Sequence, residues 1–207
     1  LDPWATPQAY NNAEDFFETG YTWSNSVNVA QSFDRGNYSF SLGNTTSDGI
    51  VPSTGMDRYN AKLAGEAKLH ENWNTGFNGN FISSKISKQS SANNGITATV
   101  YPAPPSYDLA GIPNHIEGDP YTQNTYRGTS GFDGAYWAVE HNKFTERSQR
   151  FFGNAFVNYH TKFNTDNHNL SVKYQIGEDA YTTNYEDLWG YGHSNGKGEI
   201  DEYHYTI

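Results

Sequence analysis

The sequence predicts an all-β fold: an antiparallel up-and-down meander of about seven long strands, a segment of a large transmembrane β-barrel. Three observations predict it. Apolar and polar residues alternate with period two, which places them on opposite faces of a strand. The alternating runs reach the roughly ten residues a membrane-crossing strand needs, against about five or six in a soluble one. Short and long connections take turns along the chain, as periplasmic turns and external loops do in such barrels.

The first strand, residues 20–33, is the clearest. Tyr21, Trp23, Asn25, Val27, Val29, Gln31 and Phe33 share one face, and Thr22, Ser24, Ser26, Asn28, Ala30 and Ser32 the other. Residues 37–47 carry Tyr38, Phe40 and Leu42 against Ser39, Ser41 and Gly43. Residues 57–70 set Tyr59, Ala61, Leu63, Gly65, Ala67 and Leu69 against Asn60, Lys62, Glu66, Lys68 and His70. Residues 74–88 are less regular: Phe77 and Phe81 share one face, while Ile82 and Ile86 fall on the other. In residues 149–163 Phe152 and Phe156 interrupt an otherwise polar face. Residues 169–185 alternate Leu170, Val172, Tyr174 and Ile176 with Ser171, Lys173 and Gln175. Residues 199–207 close the series with Tyr203, Tyr205 and Ile207.

Residues 1–18 are acidic and punctuated by Pro3 and Pro7, with a short helix near residues 12–17. The turns at 34–37, 70–74 and 164–169 are short, and Gly36 is expected to supply a positive φ in the first. The connections at 47–57, 89–149 and 190–198 are longer. The parity puts the short set on the periplasmic side and the long set outside. The 89–149 loop, at about sixty residues, is far longer than compact domains normally carry without function.

Composition narrows the classes. Of 207 residues, 35% are hydrophobic and 16% aromatic. Many aromatics beside few aliphatics suit the aromatic girdles of a membrane barrel. They also suit a soluble, Tyr-rich β-sandwich that binds carbohydrate, the alternative reading. The net charge of −10 and pI near 5.0 argue against nucleic acid, because phosphate contacts need clustered Lys and Arg. Absence of Cys excludes disulfides and thiolate metal sites. No apolar run is long enough for a transmembrane helix. The start at Leu1 and the end within a strand at Ile207 read as a segment of something longer.

No catalytic signature is present: there is no Gly-x-Ser-x-Gly, His-Glu-x-x-His or phosphate loop. The acids Glu178–Asp179, Glu186–Asp187 and those of residues 199–202 are expected at strand ends and in loops. None matches the spacing of a calcium loop. The chain is expected to be neither an enzyme nor a cofactor or metal protein. The long loop carries the candidate binding residues. Tyr121, Tyr126, Arg127, Tyr136 and Trp137 are the leading contacts for substrate or partner. Aromatic faces stack on sugars and are enriched at protein interfaces.

Asp15-Phe16-Phe17-Glu18-Thr19-Gly20 leads into Ser26-Val27-Asn28-Val29-Ala30, and Asn37-Tyr38-Ser39-Phe40-Ser41-Leu42 follows. Asp48-Gly49-Ile50-Val51-Pro52-Ser53-Thr54-Gly55-Met56-Asp57-Arg58-Tyr59 then runs into the next strand. This order, over residues 14–90, resembles the early barrel of the SusC/RagA family of TonB-dependent transporters of Bacteroidota. The resemblance implies that residues 1–207 are part of a barrel of roughly 22 strands filled by an N-terminal plug. It implies an outer-membrane location, bounded by lipid, and TonB-energised import of an oligosaccharide or peptide. It implies a SusD-like surface lipoprotein as partner. The plug, and with it the contact to TonB, lies outside these residues.

Overall fold

The computed structural model describes residues 8–90, 95–128, 131–163, 168–194 and 198–207. After a short helix α1 (Asn12–Phe16) come β1 (Tyr21–Phe33), β2 (Gly36–Asp48), β3 (Gly55–His70) and β4 (Trp73–Lys88). Then follow α2 (Thr97–Val100), β5 (His115–Ile116), β6 (Asp119–Gln123) and α3 (Ala135–His141). The chain finishes with β7 (Lys143–Phe163), β8 (His168–Trp189) and β9 (Glu199–Thr206). The main sheet is a seven-stranded antiparallel meander in the order β1-β2-β3-β4-β7-β8-β9, and it does not close on itself. A β5–β6 ribbon is the second sheet among the described residues. A sandwich needs two sheets face to face, and this ribbon is too small to cover the large one.

All seven expected strands form, with shifted limits. β7 begins six residues before the expected 149, and β8 runs four beyond 185. Residues 143–148 put Lys143, Thr145 and Arg147 on one face and Phe144, Glu146 and Ser148 on the other, and residues 186–189 set Glu186 and Leu188 against Asp187 and Trp189, so neither extension has the one-sided apolar face that marks a strand. The 47–57 connection shortens to residues 49–54. The 164–169 turn has residues 164–167 outside the described set, and 190–198 has 195–197 outside it. Gly36 does not take a positive φ. Its requirement is close approach, since a Cβ there would lie 2.4 Å from the Glu66 carbonyl oxygen. Glu178 and Asp179 lie well inside β8 rather than at a strand end or in a loop, whereas Glu186 and Asp187 near the end of β8 and the acids of residues 199–202 at the start of β9 lie at strand ends. Glu186 sits opposite Glu202 and Asp187 opposite Asp201.

The irregular positions of β4 and β7 fit the sheet in a specific way. Phe156 lies opposite Gly76, where a Cβ would meet its ring at 2.6 Å. On the other face Phe77 covers Gly65 in the same manner, at 3.1 Å. Each ring fills the space a missing side chain leaves across the ladder. Lys173 and Arg150 stand over the Phe156 and Phe152 rings, 4.3 and 5.0 Å from the centroids. Cations over the ring faces reconcile these phenylalanines with a polar surface.

The hydrophobic core is not between sheets. It sits in a cap built from residues 89–142 and the segment before β1. Phe16, Ile96, Val100, Leu109, Ala135 and Ala138 form it.

Candidate functional site

The described residues of the 89–149 loop are folded, carrying α2, β5, β6 and α3 before β7 begins. α3 turns Ala135 and Ala138, three residues apart, to one side, as helical spacing dictates. Phe16 of α1 meets Tyr136 edge-on at 5.0 Å. Tyr10 N donates to Pro105 O, and Asn12 bonds both Pro104 O and Leu109 N. The cap therefore clasps the chain just before it enters β1.

Its polar centre is Asp133, which is buried. The carboxylate accepts from Gln123 Nε2 at 2.7 Å, Asn142 Nδ2 at 3.2 Å and Ser194 N at 2.6 Å. Gln123 also donates to Gly192 O, and Asn142 Oδ1 accepts from Gly190 N. One buried acid thus ties the long loop to the loop after β8. Buried polar groups persist only when satisfied in this way.

The five expected contact residues fall into two sets. Tyr121 is 54% exposed and packs edge-on against Tyr191, 62% exposed, at 4.9 Å. Asp119 holds this tip by accepting from Thr122 Oγ1 and Tyr121 N, bonds that lower its pKa. Trp137, by contrast, is fully buried and donates Nε1–H to Pro120 O at 3.1 Å, with His141 stacked on it at 4.6 Å. The expectation that it touches substrate or partner is corrected: its area is spent within the cap. Tyr126 Oη donates to Thr99 O, and Tyr136 Oη to Asp15 O. Burial raises the pKa of both phenols. Arg127 donates to Ala98 O and stands 3.7 Å above the Phe132 ring. These three residues face the cap's own backbone. The sequence reading missed Tyr191, because it lies in a stretch distinguished only by glycine. It also missed Asp133, Gln123 and Asn142, because a lone acid or amide in a loop carries no pattern.

The sheet presents a second surface. Trp73, Phe77 and Phe81 are 43–47% exposed, whereas Asn74, Asn78, Asn80 and Ser84 on the opposite face of β4 are more covered. The apolar face is the open one, inverting the arrangement of a soluble sheet. Each aromatic side chain carries roughly 150–250 Å², and exposed aromatic and aliphatic residues together run from Trp23 of β1 to Ile176 of β8. Soluble monomers rarely expose apolar patches beyond a few hundred Å².

The apolar band crosses the hydrogen-bonded rungs obliquely. Trp23, near its upper edge in β1, pairs through Thr46, Asp57, Lys85 and Arg147 to Asn184. In β8 the band's upper edge is Ile176, eight residues lower. Phe33, at the lower edge, maps through Gly36, Ala67, Thr75 and Val157 to Tyr174, four residues above Leu170. With about 3.3 Å per residue and about 4.8 Å per strand over the five strand steps, the two edges incline at roughly 45° and 30° to the rungs.

The other face is polar, with Asn28, Ser41, Lys62 and Asn80 in one rung. Arg150 pairs in bidentate fashion with Asp179, at 2.8 and 2.5 Å. Among the described residues no group of three or more His, Asp or Glu is placed to hold a metal ion. No protein-family model matches the chain, and no curated protein matches it.

Proposed function

We propose that this chain is part of the wall of a large outer-membrane β-barrel, with residues 89–142 as a folded external cap. The carrying observation is the oblique apolar band. Strands of membrane barrels tilt by about 35–45°, and their outward band is about 25 Å tall. From Trp23 to Phe33 is ten residues, about 33 Å along the strand and about 25 Å after a tilt near 40°. A band cut at that angle suits a flat bilayer crossing tilted strands. A partner protein has no reason to impose it.

Within that wall the job is passive. The polar face lines a wet lumen, and the cap stands at its outer mouth. Together with the SusC/RagA resemblance, this supports import of an oligosaccharide or peptide in a Bacteroidota-like cell. The import is energised by TonB through a plug outside these residues, with a SusD-like lipoprotein seated on the cap. Tyr121 and Tyr191 are the exposed aromatic pair available to that lipoprotein or to substrate.

Lipid-facing quenchers test the reading. Probes at positions 27, 29, 40 and 63 should be quenched by brominated lipid, and probes at 28, 41 and 62 spared. The reverse pattern, or a protein that stays soluble and monomeric without detergent, refutes it in favour of a soluble carbohydrate-binding module.

A further inference from the structure

The rung above the band holds two cations side by side. Lys85 of β4 is the direct cross-strand partner of Arg147 of β7. Both are exposed, and both lie on the outward face, four residues above Phe81 and Phe151. Like charges directly opposite one another destabilise a sheet. Neither residue makes an ion pair or side-chain hydrogen bond among the described residues. Asp57, the other neighbour of Lys85 in the rung, accepts instead from Thr46 Oγ1 at 3.0 Å. Beside Lys85, and short of Arg147, opens a cleft of about 330 Å³ lined also by Lys143, Ser53, Ser87, Thr145 and Glu140, while the cleft on its other side sets Lys85 near Glu18, Asp48 and Asp57. In a chain of net charge −10, two adjacent exposed cations without an ion pair offer an anion a seat.

Height identifies that anion. Four residues rise about 13 Å along a strand, or about 10 Å after a tilt near 40°. The headgroup layer occupies roughly 5–8 Å beyond the hydrocarbon on each side, and Lys and Arg side chains reach back several ångström toward it. We propose that Lys85 and Arg147 clamp the phosphate of a lipid headgroup in the outer leaflet, with Lys143 and the cleft hydroxyls taking its polar extension. This inference rests on the outer-membrane reading above.

The protein purified in detergent tests it. Micelles are doped with phosphatidylglycerol or with a phosphate-free galactolipid of the same acyl chains, and bound lipid is counted by native mass spectrometry. Wild type should retain phosphatidylglycerol preferentially. The Lys85→Gln/Arg147→Gln pair should lower that retention about thirtyfold, as expected for two cations at an anionic surface. It should leave the galactolipid level and the folded gel migration unchanged. Equal retention of phosphatidylglycerol by wild type and variant overturns the clamp while leaving the membrane reading intact. Displacement of the lipid by millimolar inorganic phosphate overturns the lipid source in favour of a free-anion site. Failure of wild type to enter micelles overturns both readings.

Discussion

Gln123 donates its side-chain amide to the Asp133 carboxylate at 2.7 Å and, through Oε1, accepts from Gly134 N at the same distance. The pair is buried, and it joins β6 to the start of α3. With Asn142 and Ser194 on the same carboxylate, it makes the two loops one body.

Asp133→Ala should therefore separate them. It orphans one of the two side-chain N–H groups of Gln123, whose other still reaches Gly192 O, one on Asn142 and the Ser194 N–H. Each orphan costs about 1–3 kcal/mol. Hydrogen exchange at residues 190–194 and 97–100 should quicken about a hundredfold, at 1.4 kcal/mol per decade. Amides of β3 and β4 should keep their protection, because the ladder does not depend on the cap. Uniform loss across cap and sheet would show that the cap does not open on its own.

Val29 lies mid-band, in a rung with Phe40 and Leu63, and is open to the surroundings. Val29→Arg should destabilise the inserted protein by about 2–4 kcal/mol. Asn28→Arg, one residue along and on the polar face, should stay near neutral, as lumen substitutions do. Urea titration of the folded protein in lipid vesicles compares them. Similar costs at both positions would contradict the assignment of faces.

How much of this was legible follows from what makes a pattern. The apolar face of β1 was readable residue by residue, because period two and one-sided burial are local properties. The first six residues of β7 and the last four of β8 were not, because Thr145 and Arg147, with Glu186 opposite Thr145, are polar on a face that leaves the band. The obliquity needs the register, which no single strand contains. In the cap, Tyr121 is exposed whereas Trp137 is enclosed and Tyr136 turned toward α1, yet in sequence the three look alike. Only the long-range partners Pro120 and Asp15 show that Trp137 and Tyr136 turn inward.

The cap's pH range follows from its shifted groups. The Thr122 hydroxyl, then the Tyr121 N–H, hold the Asp119 pKa below its ordinary value. A depressed carboxylate contributes stability above its unfolded pKa and loses it as pH falls through the folded value, here below about 4. Tyr136 moves the other way. Burial raises it first, and the Asp15, Asp108 and Glu18 carboxylates add to that. Its contribution is whole below about pH 10 and is lost as pH rises through the folded value. The Tyr121 tip should loosen in acid and the α1–α3 contact in alkali. Proton exchange at Tyr121, and ultraviolet titration of wild type against Tyr136→Phe, report the two ends. Ionisation of Tyr136 at the ordinary tyrosine value would contradict its burial.

Trp137 and the Tyr121–Tyr191 pair separate structure from function in the cap. Trp137 is fully enclosed, so Trp137→Ala should cost about 3–5 kcal/mol through the cavity it leaves. The damage should appear as rapid exchange throughout residues 97–142. Tyr121 and Tyr191 touch each other, and each leaves more than half its surface open. Replacing both with Ser should cost about 1 kcal/mol or less, the worth of an edge-on pair. If this tip meets a sugar, a peptide or a partner lipoprotein, the double variant should nonetheless lower nutrient uptake or partner co-purification several-fold, as loss of an exposed aromatic anchor does. A double variant that matches wild type in uptake and in partner retention removes the tip from function. Its tyrosines would then stand as incidental surface on a cap held together by Trp137 and Asp133.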